Sequence, residues 1–139
     1  MGSPSPLESV FEFLEQINRH DVDRICALMT EDHEFVDSLG SVVRGRDAMR
    51  QAWVGYFYLI PDYRIISGQS FAAGDSVAIF GTATGTYAPG GTMVKGKSWR
   101  MPLAIRSTVR NGLVARWEVY ADNEPVRSIM AAAGIPPSS

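Results

Sequence analysis

From Tyr63 to Ala121 the chain reads as four long strand-like segments, Tyr63 to Phe71, Ser76 to Tyr87, Lys97 to Val109 and Leu113 to Ala121, rich in β-branched and aromatic residues. Turn chemistry separates them. Asn111-Gly112 is a two-residue hairpin signal and Gly74-Asp75 marks another, while Ala88 to Gly96, containing Pro89-Gly90-Gly91, is a longer loop. Consecutive strands joined in this way make an antiparallel sheet, and a sheet must bury one of its faces. Whatever precedes Tyr63 has to supply the cover.

What precedes it is largely helical. Leu7, Val10, Phe11, Leu14 and Ile17 are spaced by threes and fours and predict a helix ending near Asn18. Asp21 predicts an N-cap for a shorter helix whose buried side carries Val22, Ile25, Cys26 and Met29. The period then drops to two through His33, Phe35 and Asp37, a short strand that runs into the turn Ser38-Leu39-Gly40. Gly45-Arg46-Asp47 opens a third helix with the stripe Met49, Ala52, Trp53, Tyr56, Phe57 and Ile60, stopped by Pro61. A last helix is expected from about Asn123 to Ala133, closed by Gly134 and then Pro136-Pro137. The fold class is α+β, a strongly curved antiparallel sheet wrapped around N-terminal helices. One domain is expected at 7–133, with a disordered tail at 1–6 and a second tail at 134–139.

The 139 residues carry a formal net charge of -2, with 45% apolar and 20% charged residues. Mild acidity argues against nucleic acid, which wants a clustered basic face. No apolar run approaches the roughly 18 residues of a membrane span, and residues 1–6 carry neither a basic start nor an apolar stretch. The single Cys26 fits a reducing compartment, so a cytoplasmic location is expected. Fourteen aromatic residues, three Trp and five Tyr among them, must find partners for their N–H and O–H groups.

Four stretches carry a resemblance: Asn18-Arg19-His20-Asp21 between the first helices, Val36-Asp37-Ser38-Leu39-Gly40 after the first strand, Pro61-Asp62 after the third helix, and Trp117-Glu118-Val119-Tyr120-Ala121-Asp122 at the end of the sheet. With the order of elements, they make the chain resemble the nuclear transport factor 2-like superfamily, and within it the ketosteroid isomerase-like and SnoaL-like polyketide cyclase group, from about Leu7 to Ala133. The resemblance implies a cone-shaped cystatin-like fold with a pocket between sheet and helices, and dimerisation through the outer sheet face. It strongly implies a fold and only weakly an activity, because this scaffold hosts isomerases, cyclases, hydrolases, dehydratases and noncatalytic modules.

Asp37 stands where the resemblance places a general base. A carboxylate in an apolar pocket has its charged form destabilised, which raises its basicity toward a weakly acidic C–H. The other reading of Asp37 is an acceptor for backbone N–H groups in its own turn. The enolate that a base creates needs donors. Phe13 stands at the family's Tyr position and Ala104, or a neighbour, at its Asp position, so both usual donors are missing on this alignment. Tyr56 and Trp99 are the preferred substitutes, with Trp53 and Trp117 as further aromatic donors. The strand parity that turns Trp99, Met101 and Leu103 inward conflicts with an inward Ala104. His33 shares the face of Phe35 and Asp37 and is a second acid–base candidate, or is packed under the first helix. A His33–Asp37 dyad is excluded, since four residues of strand span about 13 Å. The expected ligand-facing set is Phe13, Ile17, Phe35, Trp53, Phe57, Trp99, Met101 and Trp117.

Other positions read as structural. His20 and Tyr58 are expected to be exposed, and Asp122 to cap the last helix. Val119 occupies the place of the epoxide hydrolases' catalytic Asp, which disfavours that chemistry. Arg44, Arg46 and Arg50 read as a solvated face. There is no G-x-S-x-G elbow, phosphate-binding loop or dinucleotide fingerprint, and two His and one Cys give no metal spacing, so no cofactor or metal is expected. The expected function is binding of an apolar, carbonyl-containing small molecule, with Asp37, Tyr56 and His33 as catalytic candidates for proton transfer next to the carbonyl. Its rival is a noncatalytic binding or dimerisation module. A cavity approached by Asp37 favours the first; an interior plugged by Trp53, Trp99 and Met101 favours the second.

Overall fold

The computed structural model describes residues 4–92 and 97–132. Helix α1 spans Pro6–Asn18 and is opened by a reciprocal cap, in which Ser5 Oγ accepts the Glu8 N–H and the Glu8 carboxylate accepts the Ser5 N–H. The fold therefore begins inside the expected 1–6 tail. Asp21 caps α2, Val22–Ala27, by accepting the Arg24 N–H. Strand β1, Met29–Val36, starts before the period-two run and takes Met29 out of the second helix. It is followed by β2, Val42–Arg44, a three-residue strand that no sequence signal marked, and by α3, Arg46–Leu59. The four long strands lie within two residues of expectation: β3 Arg64–Ala73, β4 Ser76–Thr86, β5 Ser98–Arg110 and β6 Leu113–Ala121. Helix α4 spans Glu124–Ala132, while the closing Gly134, the 134–139 tail and the loop residues 93–96 lie outside the described residues.

The strands form one open sheet in the order β2-β1-β6-β5-β4-β3. Its long strands are antiparallel, with Asn111 and Gly112 at φ 53° and 78° in the β5–β6 hairpin, the pair of positive values that a type I′ turn needs. The sheet is not antiparallel throughout, because β1 lies parallel to β6. A chain that leaves β2 through α3 and enters the sheet again at the opposite edge brings its last strand back beside its first.

Register shifts in the β3–β4, β5–β6 and β1–β6 pairs add the bends that curve the sheet. Two glycines of β4 allow close packing. A Cβ at Gly81 would lie 2.2 Å from the Ile66 carbonyl oxygen, and one at Gly85 would lie 2.5 Å from Ile60 Cγ2 and 2.8 Å from Trp99 Cζ2. Pro102 is tolerated inside β5 because β6 pairs with β5 only as far as Leu103, opposite Ala121.

Alternation along β5 is strict. Trp99, Met101, Leu103 and Ile105 are buried on the helix side, while Arg100, Pro102 and Arg106 are exposed on the other. Ala104 pairs with Phe80 and Tyr120 on that outer face, so it cannot be a pocket residue. The parity conflict is resolved in favour of an inward Trp99.

Helix α1 is held over the β3 edge by Asn18, which imitates a strand. Its Nδ2 donates to the Ile65 carbonyl at 2.9 Å and its Oδ1 accepts the Ile65 N–H at 2.8 Å. Asn18→Ala should therefore lower the unfolding free energy by about 2–3 kcal/mol, since two partly buried backbone groups lose their partner. Asn18→Asp, which keeps the acceptor but sets a carboxylate oxygen against the Ile65 carbonyl, should cost at least as much; urea unfolding of both variants checks the order.

Candidate functional site

The inner face of the sheet and the facing sides of α1 and α3 sort their aromatic rings into two groups. One is deep and fully buried: Phe13 packs on Trp117 with centroids 4.9 Å apart and on His33 at 5.9 Å, and Ile17 is 0% exposed beside them in the core. His33 lies under α1, with Nδ1 2.7 Å from the Val114 carbonyl oxygen. A carbonyl can only accept, so Nδ1 carries the proton in the neutral ring, and Nε2, which is buried without a hydrogen-bond partner, presents a lone pair. Burial holds the imidazole below its usual pKa, against opposing contributions from the Val114 bond and from Asp32 and Glu34.

The second group is a continuous aromatic wall. Phe35 meets Trp53 edge-on, Trp53 stacks on Phe57 at 5.2 Å and meets Tyr56 edge-on, Tyr56 meets Tyr63 at 4.9 Å, and Tyr63 leans on Trp99 at 6.1 Å. It joins β1, α3, the turn after Pro61 and β5. Of the expected ligand-facing set it gathers Phe35, Trp53, Phe57 and Trp99, with Met101 next along the inner face of β5. Tyr63, which the sequence reading passed over, supplies the missing link; it lies two residues before the inward Ile65, so strand parity extended by one step would have found it.

His20 is a second correction. It is half-buried rather than exposed, with Nε2 2.8 Å from the Tyr63 carbonyl and its ring stacked on Phe57 at 4.0 Å. Tyr58 is exposed as expected.

Two polar edges of this wall are unspent. Trp53 Nε1 and Trp99 Nε1 are buried with no acceptor, whereas the half-buried Tyr56 and Tyr63 leave no buried hydroxyl without a partner. Burial pushes both phenols well above the ordinary value, with Tyr56 adding to the shift of Tyr63, so both stay protonated as donors. Buried Trp and Tyr ordinarily find an acceptor.

Asp37 sits just past β1, half-buried, at the end of the face that carries His33 and Phe35. Its Oδ1 accepts the Leu39 N–H at 2.9 Å and the Ser41 N–H at 3.0 Å, and its backbone closes the same turn through Gly40 and Ser41. That is the turn-acceptor role, and it leaves Oδ2 outside the turn's bonds. Asn123 Nδ2 donates to Ser38 Oγ and so ties this turn to the start of α4, while Asp122 Oδ1 accepts the Glu124 N–H.

Two surface clefts lie elsewhere. One of about 670 Å³ runs between the α1–α2 junction and α3 past His20, Asp23 and Arg50; the other, of about 400 Å³, lies on the outer sheet face. The three arginines read as one basic face part company: Arg44 pairs with Glu34, Arg46 donates to the Met29 carbonyl, and Arg50 pairs with Asp23. Among the described residues no three His, Cys, Asp or Glu side chains come together to hold a metal ion, and no helix is long and apolar enough to cross a membrane.

The family model of the SnoaL-like domain matches residues 10–117. Among solved structures, a protein with a ketosteroid isomerase-like fold from Catenulispora acidiphila, in complex with trimethylamine, is 20% identical with a TM-score of 0.73 over 96% of each chain. A candidate SnoaL-like polyketide cyclase from Jannaschia sp. CCS1 is 18% identical, with a TM-score of 0.75 over 95% of this chain and 93% of that one. AclR from Streptomyces galilaeus, a candidate hydroxylase, is 19% identical with a TM-score of 0.72 over 96% and 84%. At these identities the structural likeness speaks for the fold alone. No curated protein sequence matches the chain.

The buried, neutral His33 ties stability to pH. Its folded pKa is depressed, so above about pH 6.5 both states are neutral and the ring adds no pH dependence. Below that value the unfolded chain takes up a proton that the folded one refuses, and stability falls. Between pH 7.5 and 5.5 the wild type should lose about 1 kcal/mol more than His33→Gln, measured as urea unfolding free energies of the two proteins at each pH.

Proposed function

Because the chain belongs to the SnoaL-like domain family, we propose that it binds an apolar, carbonyl-containing small molecule against its aromatic wall and moves a proton next to the carbonyl, with Asp37 as the base. The observation that carries this reading is the wall itself: two buried indole donors, on Trp53 and Trp99, that the protein leaves without acceptors, in a row of rings joined by Tyr56 and Tyr63 and with no ionised side chain among them. A buried donor without a partner costs about 1–3 kcal/mol, and a ligand oxygen arriving there recovers it. Donors aimed at a carbonyl oxygen also stabilise the negative charge that forms when a neighbouring C–H is ionised, which is the step shared by isomerisation, aldol cyclisation and dehydration. Phe13 and the outward Ala104 supply no such donor, so the indoles and phenols take that part.

The rival reading, a noncatalytic module, is favoured by two observations. Asp37 Oδ1 is spent on its own turn, and Trp53, Trp99 and Met101 are no more than 7% exposed, as in a filled interior. Exchange of α-hydrogens for deuterium separates the two without knowledge of the natural ligand. In D2O with 2-decalone as the probe, wild-type protein should accelerate exchange, and Asp37→Asn should lower that acceleration about 100-fold or more, because Asn keeps the turn acceptor and loses only the ionisable oxygen. Trp99→Phe should raise the Kd of the ketone about 10-fold. Ketone binding without accelerated exchange establishes the module.

We also propose a homodimer through the outer sheet face, where Ile66, Phe71, Phe80 and Tyr120 are about half exposed and Phe71 meets Phe80 edge-on. A cytoplasmic setting belongs to the same proposal and suits the free, buried Cys26. Phe80→Asp should shift the sedimenting species from dimer to monomer with the circular dichroism spectrum unchanged.

A further inference from the structure

The outer face of the sheet is organised in cross-strand rows. Phe80, Ala104 and Tyr120 form one, in the apolar half. Two rows away, Thr108, Arg116, Glu34 and Arg44 stand side by side across β5, β6, β1 and β2. The β5–β6 register shifts here, between Thr108 and Val109, and brings both Ala115 and Arg116 to the rim of one hollow. Ala115 is its smallest side chain, so the hollow has depth, about 400 Å³, where a pleated sheet would otherwise present a closed row.

Three guanidiniums on three different strands surround it: Arg44 on β2, Arg110 on β5 and Arg116 on β6. Their carboxylate partners are already used. Glu34 gives one oxygen to Arg116 and the other to Arg44, and Asp32 is bonded to Arg110. The arginines are not used up. Arg44 bonds only through Nε, Arg110 only through one terminal nitrogen, and Arg116 through Nε and one terminal nitrogen, the former to Glu118. Each guanidinium carries five N–H groups, so Arg44 and Arg110 each keep a free fork edge and Arg116 keeps unbonded terminal N–H groups. Glu118 is shared between Arg116 and Arg106, so the cluster around the hollow holds four cations, Arg44, Arg106, Arg110 and Arg116, against three anions, Asp32, Glu34 and Glu118, an excess of one positive charge in a chain whose net charge is -2.

We propose that this hollow is a binding site for a small phosphoryl dianion, a phosphate monoester or inorganic phosphate. Arginine forks match the edges of a tetrahedral oxyanion, and two free forks with the remaining terminal N–H groups of a third guanidinium suit a phosphoryl group better than a single planar carboxylate. The Thr108 hydroxyl lies in the same lining and offers a further donor. The site is separate from the aromatic interior, which lies on the other side of the sheet, and from the apolar half of the outer face.

Inorganic phosphate is the probe, titrated by calorimetry and by thermal shift at fixed ionic strength in the full-length protein, with sodium acetate and sodium chloride as matched controls. Phosphate should bind at least 10-fold tighter than acetate. Ala115→Leu, which fills the hollow and leaves every charge in place, should abolish the preference, and Arg110→Gln or Arg44→Gln should each raise the phosphate Kd about 10-fold. Arg19→Gln, just past the end of α1 in the other cleft, should leave it unchanged. Equal binding of phosphate and acetate, or an undiminished phosphate response in both Ala115→Leu and Arg110→Gln, overturns the proposal. So does sedimentation in which the arginine variants shift the monomer–dimer balance and leave phosphate binding alone, which would assign the free forks to carboxylates of a second copy.

Discussion

The register of β5 is the constraint on which the rest of the structure hangs. Its odd-numbered residues from Trp99 to Ile105 build the wall that faces the helices, and its even-numbered ones build the outer face, so a slip of one residue would exchange an aromatic interior for a charged surface. Several independent interactions hold that register. The Asn111-Gly112 turn fixes the pairing with β6, Ser107 Oγ donates to the Arg116 carbonyl, and Arg106 grips the Glu118 carboxylate with two N–H groups. On the β4 side a Cβ at Gly85 would collide with both Ile60 Cγ2 and the Trp99 indole, so the glycine makes room for both. Glu118 is 4% exposed, and burial pushes its carboxyl up, but hydrogen bonds from Tyr120, Arg116 and Arg106 outweigh this and keep it ionised. The outer face thus pins the strand whose inner face makes the wall.

The stretches that carried the family resemblance turn out to be junctions. Asn18 bonds the Ile65 backbone, His20 the Tyr63 carbonyl, Asp21 the Arg24 N–H, Asp37 its own turn, Asp122 the Glu124 N–H, and Asp62 takes both the Thr86 N–H and the Thr86 hydroxyl. Each is a side chain that satisfies backbone groups where one element hands over to the next. Residues of this kind specify how helices and strands meet and say little about what is bound between them. For that reason the fold was legible at those positions and the activity was not.

Elsewhere legibility follows the range of the interaction. Helix stripes, hairpin turns and the long strands are set by neighbours in sequence, and they lie within a few residues of where the pattern puts them. The short β2, the parallel pairing of β1 with β6 and the half-buried His20 depend on contacts tens of residues away. His33 and Phe35 show the difference within one strand. Period two puts them on the same face, yet His33 falls under Phe13 and α1 while Phe35 reaches Trp53, because the pieces of helix above them differ. Alternation assigns a residue to a face; the packing above that face decides whether it lines a wall or fills a core.

An apolar core chosen for stability alone would not bury two indoles where the protein offers them no acceptor. Phe or Leu fills such space without the penalty, as Phe13 and Leu103 do a few ångströms of sequence register away. The deep group of rings comes nearer to that rule: Phe13 has no polar edge, and His33 donates from Nδ1 to the Val114 carbonyl, leaving only an Nε2 lone pair without a partner. The wall breaks it at both its indoles, Trp53 on α3 and Trp99 on β5, which Tyr56 and Tyr63 connect. On the reading proposed above, a ligand oxygen that accepts from both indoles returns the free energy they withhold from folding.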